Sequence, residues 1–78
     1  MPDEIYFLCL LHNIGAISSE KSLTLDEIAR WTVMEPQRVR TQIDKLVNTE
    51  YVQKTFRDGS ERYHVTINGI RKVLSMYS

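Results

Sequence analysis

Asp58-Gly59 is the dipeptide that most restricts how this 78-residue chain can fold. Both central residues of a type I′ turn need positive φ, which aspartate tolerates and glycine adopts freely. On either side, Tyr51 to Phe56 and Arg62 to Thr66 are rich in aromatic and β-branched residues, the composition of strands. The stretch 51–66 therefore reads as a β-hairpin. With Asp58 and Gly59 as its turn, Val52 falls opposite Val65 and Lys54 opposite Tyr63. Val52, Tyr63 and Val65 then share a core-facing side, with the Lys54 stem beside them.

Around this hairpin the hydrophobic period is helical. A first helix is expected over 3–13, with Pro2, Asp3 and Glu4 suited to its start and Gly15 to its stop. Residues 16–22 read as a loop. Thr24 followed three positions later by Glu27 is a capping box, and Leu23 with Ile28 has the spacing of a hydrophobic staple. A short helix over 25–32 should follow, burying Leu25, Ile28 and Ala29. Glu35-Pro36 marks another start, because proline is favoured at the first helical position and disfavours helix in the residue before it. From Pro36 to Asn48 the apolar residues Val39, Ile43, Leu46 and Val47 form one stripe. After the hairpin, Thr66 can cap a last helix over 67–77 whose Ile70, Val73, Leu74 and Tyr77 recur at helical spacing.

Composition closes several functional classes. At 9.1 kDa and 42% hydrophobic residues, the chain is one small domain, too apolar for disorder. Its longest apolar run, the seven residues from Ile5 to Leu11, is too short for a membrane span, and no basic or cleavage-like flank makes it a signal peptide. A cytoplasmic protein is expected. The lone Cys9 excludes an intrachain disulfide and reads as a small core residue. His12 and His64 lie far apart with no second cysteine, so no zinc site is expected, and no glycine-rich phosphate loop is present. No nucleophile, base and orienting group can be assembled, which argues against an enzyme and against a cofactor.

Net charge is zero, but unevenly so. Residues 1–36 carry two basic against six acidic residues, a balance of −4, while residues 37–78 carry eight against four, a balance of +4. The second half can therefore present a face to a polyanion, or simply a mixed solvated surface.

Helix, short helix, tight turn (Val33-Met34-Glu35), helix, hairpin, helix is an α+β order whose second and third helices suit a helix-turn-helix. Leu25-Asp26-Glu27-Ile28-Ala29-Arg30, then Glu35-Pro36 and Val39 through Leu46, resembles the paired helices of the winged helix-turn-helix family. Tyr63-His64-Val65-Thr66 with Gly69 is similar to that family's second wing strand and closing helix. The resemblance covers roughly residues 23–74 and is of the kind seen in small bacterial and archaeal transcriptional regulators. It implies duplex DNA as the partner, a recognition helix at 36–48 in the major groove, and the wing on the adjacent backbone or minor groove.

Winding that helix at 100° per residue places Gln37, Arg38, Thr41, Asp44 and Lys45 opposite the core stripe, with Arg40 on one flank. Gln37 and Arg38 can pair with base edges, and Thr41 with a thymine methyl or a phosphate. Lys45 and Arg40 suit phosphates. Asp44 can accept from cytosine or pair with Arg40 at i, i+4. On the wing, Lys54, Arg57 and Arg62 are the candidate contacts, with Asp58 and Glu61 partly cancelling them. The alternatives are a solvated helix face and a plain structural hairpin. Trp31, beside Met34, reads as a core or rim anchor, and Gly69 as a site of close helix packing.

The first helix is apolar all round. Ile5, Leu8, Cys9 and His12 fall to one side; Tyr6, Phe7, Leu10, Leu11 and Ile14 cover the other. So small a domain cannot bury both sides, so a homodimer is expected, with Tyr6, Phe7, Leu10, Leu11, Ile14 and Tyr77 at its interface. The leading expectation is a homodimeric transcriptional regulator that binds duplex DNA. The competing class is a winged-helix module that binds protein and never touches DNA.

Overall fold

In the computed structural model, which describes residues 2–77, the local signals produce the elements they specify. Helix α1 (Asp3–Asn13) begins after Pro2, with Asp3 and Glu4 in its first turn. Helix α2 (Leu25–Thr32) opens on a complete capping box: the Glu27 amide donates to Thr24 Oγ1 at 3.2 Å and the Thr24 amide to Glu27 Oε1 at 2.9 Å. Helix α3 (Pro36–Asn48) starts on its proline. Strands β1 (Val52–Arg57) and β2 (Ser60–Val65) pair antiparallel, with Val52 opposite Val65 and Lys54 opposite Tyr63. Asp58 and Gly59 both have positive φ, 54° and 78°, as the turn requires. Helix α4 (Ile67–Ser75) ends two residues short of the expected 77 and is capped by Thr66 Oγ1, which accepts from the Gly69 amide.

The loop of residues 16–22 and its exit are stitched to the wing more tightly than the sequence indicates. Leu23 exchanges both backbone hydrogen bonds with Tyr63 (3.0 and 2.8 Å), adding a one-residue third strand beside β2. The Val65 amide donates to the Ala16 carbonyl at 2.7 Å, and Ala16 is buried. These bonds anchor the hairpin base through backbone groups that would otherwise be left unpaired.

The core gathers Ile28, Ala29, Val39, Ile43, Leu46, Val52, Tyr63, Val65 and Val73 around one side of α1. Here the structure corrects the sequence reading. Phe7 is 1% exposed and Leu11 0%, both packed beside Leu8 in the core of a single chain. Phe7 and Leu11 are four residues apart and Leu8 and Leu11 three, so all three lie on one helical face. α1 is roofed over that wide face because it packs against both α3 and α4. Phe7 and Leu11 therefore leave the expected dimer surface. Of the rest, Tyr6 is exposed, and Leu10 and Ile14 are half-buried.

Packing also sets which side of α4 faces inward. Its core side is Gly69 and Val73, with Ile70 half-buried, whereas Leu74 is 55% and Tyr77 67% exposed. The outward apolar residues are Ile67, Leu74 and Tyr77. Trp31 is likewise 67% exposed and anchors nothing in the core.

A candidate nucleic-acid interface

The interface builds outward from α3. Its buried side holds Val39, Ile43 and Leu46, and also Gln42, a polar residue the hydrophobic pattern passes over. The opposite side holds Gln37, Arg38, Thr41, Asp44 and Lys45, all exposed. Thr41 Oγ1 donates to the Gln37 carbonyl at 3.1 Å, which leaves its oxygen and methyl outward.

Arg40 is different. Its guanidinium points across to the wing, where Nη1 donates to Tyr63 Oη at 3.0 Å. The same nitrogen lies 3.9 Å from Glu61 and 3.9 Å from Asp44. Tyr63 Oη in turn donates to Glu61 Oε2 at 2.8 Å. Burial, then the Glu61 acceptor, push the Tyr63 hydroxyl above its ordinary range, so it keeps its proton and remains a donor. Glu61 is held below the usual carboxylate range by that hydrogen bond, and then by Lys54 and Arg40. Arg40 thus joins α3 to the wing, and its i, i+4 pairing with Asp44 accounts for that acid.

The wing's cations divide in the same way. Lys54 and Arg57 are exposed. Arg62 turns back toward the body, where Nη1 donates to the Ser22 carbonyl at 3.1 Å and lies 3.8 Å from Glu27 Oε1. Its side chain is only 25% exposed. Expected near the wing tip as a contact, Arg62 instead ties the loop before α2, and α2 itself, to β2. Glu27 carries a lowered pKa, chiefly from the Thr24 backbone hydrogen bond, with Arg62 adding to it.

Alternation along the strands places Lys54, Phe56 and Glu61 on the side that Val52 and Tyr63 bury lower down. Phe56 is exposed, since the outer half of the hairpin extends past the core. Sequence reasoning did not single it out; an aromatic residue paired with Glu61 beside the turn was the available signal.

Among the described residues, no group of three or more His, Cys, Asp and Glu side chains is placed to hold a metal ion. No helix there is long and apolar enough to cross a membrane.

Three helices, a hairpin with a stub of third strand, and a closing helix, with α3 uncovered beside the hairpin, make this a winged helix-turn-helix. Among solved structures, the DNA-binding TubR fragment from Clostridium botulinum superposes with a TM-score of 0.81, at 27% identity over 95% of this chain and 93% of that one. TubR from Bacillus megaterium also gives 0.81, at 17% identity over 99% of this chain and 87% of its own. A mutant MarR from E. coli, complexed with operator DNA, gives 0.76 at 13% identity over 95% of this chain. This chain spans about half of that MarR, 51%. No protein-family model matches the sequence, and the comparison with curated proteins finds no match.

Proposed function

We propose that the chain is a sequence-specific duplex-DNA-binding regulator that acts as a homodimer, with α3 in the major groove and the wing on the backbone or minor groove. The observation that carries this reading is the sorting of the cations. Arg38 and Lys45 on α3, and Lys54 and Arg57 on the wing, are exposed, while Arg40 and Arg62 are spent on internal contacts. Gln37, Arg38 and Thr41 are the base readers; Lys45, Lys54 and Arg57 meet phosphates. The likeness to DNA-binding TubR and to a MarR solved on its operator supports the same reading. The proposed role involves no catalysis and no cofactor, and its location is the cytoplasm.

Dimerisation supplies what one neutral domain lacks, because two copies double the phosphate contacts. The surfaces offered for it are the outer side of α1, at Tyr6, Leu10 and Ile14, and the end of α4, at Leu74 and Tyr77. Two recognition helices in a symmetric dimer would address half-sites about 34 Å apart.

One observation favours the competing protein-binding module: the exposed acids Asp44, Asp58 and Glu61 are interspersed with the exposed cations and dilute their field. A titration of mixed-sequence duplex DNA against salt separates the two. Affinity that falls steeply with salt supports the DNA reading. Absence of binding at low salt overturns it in favour of the module.

A further inference from the structure

We infer that Arg40 and Tyr63 are positioning residues: together with Glu61 they form a strut that fixes the angle between α3 and the wing, and neither touches DNA. The inference deepens the DNA-binding reading and rests on it for its consequence, though not for its geometry.

The outer half of the hairpin needs such a device. Below Tyr63, the wing is held by buried Val52 and Val65 and by backbone bonds to Leu23 and Ala16. Above it, Lys54, Phe56, Arg57, Asp58 and Glu61 are all exposed, and a two-stranded ribbon without a layer beneath it is only marginally ordered. The strut sits at that boundary. The Tyr63 ring is 1% exposed, so its hydroxyl is a fixed point at the edge of the core. Arg40 reaches it from α3 at 3.0 Å, and Glu61, two residues nearer the wing tip on the same strand, accepts its hydrogen bond at 2.8 Å. Tyr63 Oη therefore donates once and accepts once, and both of its partners are charged. Charge-assisted bonds of this kind hold direction better than neutral ones. Asp44 and Glu61 flank the same Arg40 nitrogen at 3.9 Å and keep the guanidinium in the cleft.

The consequence is geometric. Arg38 and Lys45 on α3, and Lys54 and Arg57 on the wing, form a single footprint only if the two elements keep a constant offset. Once one element is seated, a fixed offset makes the second contact nearly free of ordering cost, as for any linked pair of binding elements. Releasing the strut leaves every phosphate contact available but makes the second one costlier. Affinity should fall while the number of phosphates contacted stays the same.

The test uses Arg40→Ala and Tyr63→Phe in the full chain, the second of which keeps the buried ring and removes only the hydroxyl. Two readouts are taken. The first is the orientation of β1–β2 relative to α3 in the free protein, from residual dipolar couplings. The second is affinity for a duplex selected by the parent protein from a random library, measured against salt. The expected result is a reoriented or broadened wing in both variants. Affinity should drop roughly tenfold, the scale of one or two lost hydrogen bonds, with the salt slope of the parent retained. The double variant should lose no more than the worse single one, because both act through one contact. A salt slope lowered by about one unit in Arg40→Ala overturns the inference, since that is the mark of a lost phosphate contact. Unchanged couplings in both variants also overturn it. A parent that binds no duplex DNA sinks the DNA-binding reading alone, and the couplings then decide the strut by themselves.

Discussion

Gly69 of α4 lies so close to the Tyr51 carbonyl oxygen that a Cβ at this position would collide with it, and would also stand 2.6 Å from Val65 Cγ1. The same carbonyl accepts from the Thr66 amide at 2.9 Å, so the closing helix is seated directly on the strand entry. This contact sets the rotation of α4: Gly69 faces inward, Val73 follows four residues later into the core, and Leu74 and Tyr77 are turned out. Gly69→Ala should therefore cost about 1–3 kcal/mol, the usual range for overpacking against backbone that cannot retreat. Urea denaturation should show a lower midpoint with an unchanged slope. A midpoint equal to the parent's would mean that α4 can lift without penalty.

Val33, between α2 and α3, occupies the left-handed region at φ 55° and is 91% exposed. A β-branched residue resists that conformation, and its side chain recovers almost no burial in return. Val33→Gly should stabilise the fold by about 1 kcal/mol, which for a domain of this size is a rise in Tm of roughly 4–8 °C. Calorimetry checks it. A fall in Tm would show that the Val33 side chain makes a contact worth more than the strain.

The two α3 cations should part in their sequence preference and salt response. Arg38→Ala is expected to lose about 1–3 kcal/mol on the selected duplex and to relax preference at one base pair. Lys45→Ala should weaken all sequences alike and lower the salt slope by about one. If both variants bind like the parent, α3 is not the reading element.

The proposed dimer is tested at Leu74 and Leu10. Burying one such side chain contributes roughly 1.5–3 kcal/mol, so a few across a two-fold interface suffice. Leu74→Glu or Leu10→Glu should give a folded monomer by sedimentation, with weaker DNA binding than the parent. A parent that sediments as a monomer at micromolar concentration removes the homodimer from the proposed function.

His64 supplies the pH dependence. Burial holds its imidazole below the ordinary value of 6.5, and its Nδ1 has no hydrogen-bond partner among the described residues. The unfolded chain therefore takes up a proton before the folded one does. Stability from this group is complete above pH 6.5 and is lost as the pH falls through the depressed folded value. The difference in stability between the parent and His64→Gln should accordingly shrink or reverse as the pH falls from 6.5 to that lower value. A constant difference from pH 7 down to 5 would show that His64 titrates normally in the folded protein.

Sequence alone determined the features whose causes lie within a few residues of each other. Positive φ at Asp58 and Gly59 dictated the turn, and the turn dictated the strand register. Thr24 with Glu27, and Pro36 after Glu35, set the starts of α2 and α3, because capping and proline sterics act over three or four positions. The exposed face of α3 could be read for the same reason, since its stripe has only one helical solution. What only the tertiary structure decided is which groups meet across the chain. Arg40 finds Tyr63 23 positions away, and Arg62 finds Ser22 40 positions away, contacts that no local pattern shows. The helix apolar all round was equally ambiguous: periodicity shows that α1 has several apolar faces, but only packing against α3 and α4 selects Phe7 and Leu11 for the core. The collision waiting at Gly69 likewise turned Leu74 and Tyr77 outward, because the orientation of a helix is set by its closest contact and not by its richest stripe.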